Sequence, residues 1–218
     1  MNTDPDARTV LCFGDSNTYG QRAEDVDKGR WPVDIRWTGL LQRLLGDGYA
    51  VVEEGLNGRT IELDEQRPGR NGRAYLIPCL ESQHPVDILV LGLGFNDLKP
   101  QFRLGVPQVA ASLNRLLDEV DAAPANWGGR PPRVVLLAPL PIDDTRPGFH
   151  EFFRREVAPE LIVRSHALAA AVRDLAAERG LGLVDLGSVA KTGDDGIHLS
   201  VDSHPAVAAA VAGEIRAG

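Results

Sequence analysis

The sequence predicts an α/β fold: a three-layer α/β/α sandwich on a five-stranded parallel sheet. Five short apolar runs carry this expectation, Thr9–Phe13, Ala50–Glu54, Ile88–Leu93, Arg133–Ala138 and Gly182–Leu186. They are continuous rather than alternating, as in strands covered on both faces. Stretches with apolar residues at helical spacing fall between them, and strands alternating with helices make βαβ units. The length agrees: 218 residues, 43% of them hydrophobic, suit one sizeable core and are short for two domains. The chain therefore reads as one domain over residues 1–218, with residues 1–7 a flexible N-terminus.

Taken in order, Thr9–Phe13 runs into Gly14-Asp15-Ser16-Asn17, and the irregular segment Gly20–Pro32 follows. Trp37, Leu40, Leu41, Leu44 and Leu45 then repeat at helical spacing, with Gly46 as a stop. Ala50–Glu54 runs into Gly55-Leu56-Asn57-Gly58-Arg59-Thr60, and Ile88–Leu93 into Gly94-Phe95-Asn96-Asp97. Val109, Leu113, Leu116, Leu117 and Val120 form the clearest amphipathic stripe. Arg133–Ala138 leads to a second irregular segment, Pro139–Gly148. Leu161, Leu168, Val172 and Leu175 make a further stripe ended by Gly180. After Gly182–Leu186 and a short connector comes Asp194-Asp195-Gly196-Ile197-His198, and Val207, Val211 and Ile215 mark the last helix. Sheets of this kind bind ligands at the carboxyl ends of their strands. Both irregular segments follow strand ends on that edge, where long loops make walls or lids.

Composition excludes several functions. A net charge of −8 argues against a nucleic-acid surface, which needs clustered Lys and Arg, and gives no attraction to an anionic membrane. Cys12 and Cys79 make no disulfide framework and read as reduced thiols, Cys12 in the core. Met1–Arg8 lacks the basic start and apolar middle of a signal peptide, and the longest apolar stretch, Ile88–Phe95, is too short to span a bilayer. The expectation is a cytoplasmic protein with no membrane partner. Neither G-x-x-x-x-G-K-[ST] nor G-x-G-x-x-G occurs, which argues against a nucleotide- or phosphate-binding module, and acyl transfer through a serine needs no cofactor. No His or Cys residues cluster around Asp195 and His198, so no metal is expected either.

The polar blocks after the strands supply the parts of an acyl-transfer site. Ser16 follows a buried strand beside a glycine, where a turn can expose its hydroxyl as a nucleophile. Asp195, three residues before His198, can fold back onto the imidazole, fix its tautomer and stabilise its cation. Gly58 can present a free backbone N–H, and the Asn96 amide can donate to a developing oxyanion. Singly, each block has an ordinary reading: an N-cap serine, turn glycines, an Asx turn, a solvated Asp-x-x-His loop. Jointly they supply nucleophile, base, orienter and oxyanion donors, each after a different strand on one edge. His84 reads as a loop residue and His150, near the Pro-rich loop, as a surface residue rather than a substrate contact; His166 and His204 receive no role, Trp31 and Trp37 read as packing, and Glu53 and Glu54 as salt-bridged or solvated.

These blocks resemble those of the SGNH, or GDSL, hydrolase superfamily, whose serine, glycine, asparagine and histidine correspond to Ser16, Gly58, Asn96 and His198. The resemblance runs from Val10 to about Ser200. Leu11–Ser16, Arg36-Trp37-Thr38-Gly39, Glu53–Leu56, Asn96-Asp97 with Lys99, and Asp195-Gly196-Ile197-His198 resemble its arylesterase and acyltransferase (perhydrolase) branch. The resemblance implies a flavodoxin-like fold and hydrolysis of short-chain aryl or alkyl esters, with acyl transfer to alcohols or peroxide in some members. Asn17 replaces the leucine of the Gly-Asp-Ser-Leu signature, Tyr19 stands where the branch often has tryptophan, and Phe95 where it often has threonine. With Asn57 and Ile197, these are the expected substrate-binding residues. The absence of G-x-S-x-G agrees with this superfamily rather than the α/β-hydrolases. The expected partner is a small-molecule ester, and the resemblance implies a homo-oligomer with Gly20–Pro32 and Pro139–Phe153 as contacts. Alternatives are a carbohydrate O-acetyl esterase, a lysophospholipase-type enzyme, or a non-catalytic flavodoxin-like binding module.

Overall fold

Five parallel strands form one sheet in the order β2-β1-β3-β4-β5. They are β1 (Arg8–Gly14), β2 (Tyr49–Gly55), β3 (Ile88–Gly92), β4 (Arg133–Ala138) and β5 (Gly182–Asp185). The order reverses between β1 and β3, as in flavodoxin-like sheets, which opens a crevice at their carboxyl ends. The structure is a computed structural model that describes residues 4–24, 29–126, 128–149 and 159–218. Residues 25–28 and 150–153 of the two expected contact segments, His150 included, therefore lie outside the described residues, as do residues 1–3. Residues 4–7 form a turn, with Ala7 N–H donating to the Asp4 carbonyl at 3.2 Å.

Side chains alternate across the sheet and fill two cores. Leu11, Phe13, Leu89, Leu91, Val134 and Leu136 point to one face, under α3 (Gly72–Ser82), α4 (Val106–Ala122) and α5 (Pro159–Arg179). Val10, Cys12, Ile88, Val90, Val135 and Leu137 point to the other, under α2 (Trp37–Leu45) and α7 (His204–Ala217). Helices on both faces explain why the central runs are continuously apolar. The edge strand β2 departs from that expectation, since every one of its residues is only partly buried. Leu44, placed on the apolar stripe of α2 by its spacing, is 44% exposed.

Strands β1 and β2 each extend one residue beyond the expected runs at both ends, and β3 and β5 each end one residue earlier. Leu186 opens a short helix, α6 (Leu186–Val189), instead of closing β5, because the Asp185 carboxylate caps it by accepting from Gly187 N–H at 3.1 Å. Leu93 falls beyond β3, whose last residue is Gly92. The helix α3 was not expected. It holds Pro78 in its interior and lacks a clean stripe, yet it buries Leu76, Cys79 and Leu80, and Asn71 caps it by accepting from Ala74 N–H.

Three glycines lie side by side where the central strands end: Gly14 pairs with Gly55 on one side and Gly92 on the other. A Cβ on Gly14 would collide with Thr18 and the Gly92 carbonyl, and one on Gly55 with the Tyr19 backbone. This side-chain-free row lets the one-turn helix α1 (Ser16–Tyr19) rest directly on the strand ends.

Cys12 and Cys79 are both free and buried, and burial pushes both thiols up, Cys79 to about 11. Two free thiols with Cys12 in the core agree with the sequence reading, and the raised pKa values disfavour the thiolate at neutral pH. Among the described residues no helix is long and apolar enough to cross a membrane.

Candidate active site

Ser16 is the first residue of α1. Asp15 caps the helix, its carboxylate accepting from Asn17 N–H at 3.0 Å, and Gly20 ends it in a left-handed conformation. The first residue of a helix has no intrahelical acceptor for its N–H, so the turn presents both the Ser16 hydroxyl and its amide at the mouth of the crevice.

Residues 192–199 form a hairpin-like turn closed by an antiparallel bridge between Thr192 and Leu199. Within it Asp195 Oδ1 accepts from the N–H groups of Ile197 and His198, each at 2.9 Å. Asp195 Oδ2 lies 2.6 Å from His198 Nδ1, and His198 Nε2 lies 2.9 Å from Ser16 Oγ. Burial alone would raise the Asp195 carboxyl, but the bonds to the imidazole and to the two amides outweigh it and hold it below the usual carboxylate range. An ionised Asp195 requires His198 Nδ1 to carry a proton, which leaves Nε2 as the acceptor for the serine hydroxyl. Such a chain can deprotonate Ser16 as it attacks a carbonyl and return the proton to a leaving group.

The turn is held in place by the β4–α5 connection. Asp143 N–H donates to the Gly196 carbonyl and Gly148 N–H to the Asp194 carbonyl, both at 2.9 Å, and Arg146 hydrogen-bonds the Thr192 carbonyl and hydroxyl. Phe149, Ile142 and Ile197 pack together beneath it, with Phe95 against them. Gly196 has φ +72°, and a Cβ there would strike the Asp143 carbonyl. The glycine of Asp195-Gly196-Ile197-His198 is therefore required by backbone conformation and by close approach.

The expected oxyanion donors come from the ends of β2 and β3. Gly58, at φ +80°, makes no hydrogen bond through its N–H among the described residues. The Asn96 amide donates to the Arg59 carbonyl at 3.1 Å and, more weakly, to Asp15 Oδ2 at 3.4 Å. Asp15 and Asp97 flank this group in the interior. Burial raises both carboxyls, Asp97 to about 7 despite the bonds it accepts from Ile61 N–H.

The five expected substrate-binding residues separate into different environments. Asn17 and Phe95 line a narrow slot with Thr18, Leu93, Pro139 and Leu140, a space that admits about one water-sized group. Asn17 also accepts from Leu199 N–H through Oδ1 at 2.9 Å. Tyr19 is held from outside: Arg30 lies 4.7 Å over its ring and donates to its carbonyl at 2.7 Å. The Asn57 amide nitrogen is engaged by Gln21 Oε1 at 2.6 Å. Ile197 is 6% exposed and belongs to the cluster under the turn.

Several supporting residues escape the sequence reading. Arg59 is 2% exposed; its guanidinium stacks 4.0 Å over Phe13 and donates to the carbonyls of Gly14 and Glu54, joining the ends of β1 and β2. Glu53, which the sequence reads as salt-bridged or solvated, is salt-bridged: it gathers Arg30, Arg36 and Thr38, so the segment after residue 29 is tied to the sheet edge. His204, fully buried, accepts from Trp37 N–H at 3.2 Å, while Trp37 Nε1–H donates to the Asn17 carbonyl at 2.9 Å. The one available signal was a lone charged residue among apolar or glycine neighbours, as at Arg59. Among the described residues no cluster of side chains is suited to hold a metal.

Comparison with known proteins agrees with this geometry. The model of the GDSL-like lipase/acylhydrolase family matches residues 12–208. A curated acetylxylan esterase from Xylanibacter ruminicola is 27% identical over 97% of the chain, and the chain spans 44% of the length of that relative. A carbohydrate acetylesterase from Sinorhizobium meliloti superposes with a TM-score of 0.84 at 32% identity, over 96% of this chain and 99% of that one. The M. smegmatis aryl esterase superposes with a TM-score of 0.86 at 32% identity, over 97% and 99%. With a family match over most of its length and the blocks of that family brought to one sheet edge, the chain belongs to the GDSL-like lipase/acylhydrolase family.

Proposed function

We propose that this protein is a serine esterase that hydrolyses short-chain carboxylic esters, acetyl esters foremost, through an acyl-enzyme. The observation that carries the reading is the hydrogen-bonded series Ser16, His198, Asp195, with links of 2.9 and 2.6 Å. In the proposed mechanism Ser16 Oγ attacks the ester carbonyl while His198 Nε2 takes its proton. The oxyanion meets the N–H groups of Ser16 and Gly58, and the Asn96 N–H that otherwise makes the long bond to Asp15. The imidazolium, stabilised by Asp195, gives its proton to the departing alkoxide. Water, deprotonated by the same imidazole, then attacks the acyl-enzyme, and Ser16 recovers its proton as the acid leaves.

The acetyl group in the names of two similar esterases supports a small acyl group. A carbohydrate acetyl ester is the second reading, favoured by the likeness to an acetylxylan esterase and a carbohydrate acetylesterase. Acyl transfer to an alcohol follows from the same intermediate if the alcohol replaces water. The test is hydrolysis of p-nitrophenyl acetate, butyrate and octanoate, and of acetylated xylan, by wild type and Ser16→Ala, with a primary alcohol added in parallel. Activity on acetate that falls with chain length and vanishes in the variant supports the reading; equal activity in the variant rejects it.

A further inference from the structure

The hydrogen bonds that fix His198 fall into three groups. Those from Asp195, together with Gly193 N–H to the His198 carbonyl at 2.8 Å, lie inside the 192–199 turn and hold the ring relative to its own loop. Those from Asp143, Gly148 and Arg146 hold the turn to the β4–α5 connection. Neither group sets the distance between the turn and Ser16. Among the described residues two hydrogen bonds join α1 to the turn: the reacting contact between His198 and Ser16, and the one from Leu199 N–H to Asn17 Oδ1, at 2.9 Å.

The position of Leu199 in its ladder explains why that second bond is needed. The Thr192–Leu199 bridge is bounded by Gly193 N–H to the His198 carbonyl and Ser200 N–H to the Lys191 carbonyl. Leu199 is thus in the non-hydrogen-bonded position of an antiparallel pair, and its own N–H points out of the ladder. The residue is 1% exposed, so water does not serve as its acceptor. Asn17 fills that need from the residue next to the nucleophile, and its own backbone is pinned by Trp37 Nε1–H at 2.9 Å.

We propose that Asn17 is a positioning residue, whose side-chain oxygen ties the residue after His198 to the residue after Ser16 and so sets the separation of base and nucleophile. This rests on the proposed roles of Ser16 and His198. It assigns Asn17 a task that the leucine of the Gly-Asp-Ser-Leu signature cannot perform, because leucine has no acceptor.

The test compares wild type, Asn17→Leu and Asn17→Asp, the last keeping an oxygen in the same place. Four quantities are read: the rate of fluorophosphonate labelling at Ser16, kcat and KM for p-nitrophenyl acetate, the thermal midpoint, and hydrogen exchange at the Leu199 amide. Asn17→Leu is expected to label and turn over roughly 10- to 100-fold more slowly with KM changed little, as displacement of a reacting pair by about an ångström does. Its Leu199 amide exchanges faster, and Asn17→Asp recovers most of the labelling rate. If Asn17→Leu does not fold, Asn17→Ala removes the same acceptor without added bulk. Labelling and kcat that stay at the wild-type value while only the thermal midpoint falls overturn the proposal, as does an aspartate variant no better than the leucine one. A wild type that the probe does not label at Ser16 overturns the functional reading and this proposal together.

Discussion

One carboxylate of Asp195 holds His198 twice, the ring through Oδ2 at 2.6 Å and the backbone N–H through Oδ1 at 2.9 Å. The aspartate therefore sets both the tautomer of the imidazole and the shape of the turn that delivers it. Asp195→Asn keeps the size of the side chain and can keep the bonds to the backbone, but it no longer forces a proton onto Nδ1. On the proposed mechanism kcat for p-nitrophenyl acetate falls about 10⁴-fold in this variant with the fold intact. A loss of less than tenfold contradicts the assignment.

Asn96 tests the oxyanion site. Asn96→Ala removes one donor and leaves Ser16, His198 and Gly58 in place, so kcat is expected to fall roughly 10²- to 10³-fold with a modest change in KM. Steady-state kinetics on the same ester decide it, and an alanine variant with wild-type kcat rules Asn96 out.

Gly196 separates backbone demand from chemistry. A side chain there meets the Asp143 carbonyl and is strained at φ +72°. Gly196→Ala is expected to cost more than about 1 kcal/mol in denaturant titration and to reduce activity by shifting His198. Gly213, inside α7 with open space around its Cβ position, is the control: Gly213→Ala leaves activity unchanged and adds up to about 1 kcal/mol.

His204 makes stability depend on pH. Burial lowers its imidazole to about 4, from 6.5 for an exposed histidine. Between those values the unfolded chain binds a proton that the folded chain refuses, so stability rises with pH across the window. The contribution is full above about pH 6.5 and is lost as pH falls towards 4. From pH 7 to pH 5 wild type should lose about 2 kcal/mol through this group alone. Urea denaturation at both pH values measures it against His204→Gln, which lacks the titration. Equal losses in the two proteins count against it.

The strands and the candidate site residues are legible in the sequence for one physical reason. A central parallel strand is apolar throughout, so its end is marked by the first polar or glycine residue, and that end is where a flavodoxin-like sheet does its work. Ser16 and Asn96 stand just after such ends, and Gly58 and Asp195 with His198 follow the edge strands β2 and β5 on the same side of the sheet. What escapes the sequence reading depends on contacts between distant segments. The helix α3 is hidden by Pro78, the tie from Asn17 to Leu199 spans 182 residues, and the burial of Arg59 over Phe13 is visible only once β1 and β2 are paired. The bond from the Asn57 amide nitrogen to Gln21 is a further contact that local spacing does not reveal.

The row Gly55, Gly14, Gly92 bears on how such a protein can change over time. With α1 resting on that row, Gly14 and Gly55 do not admit even a methyl group, and the floor beneath Ser16 is closed to variation. New specificities have to come from the rim: Tyr19, Phe95, and the connections after β1 and β4. A combinatorial library built on this chain should hold the three glycines constant and spend its diversity there, and natural drift among relatives should follow the same division.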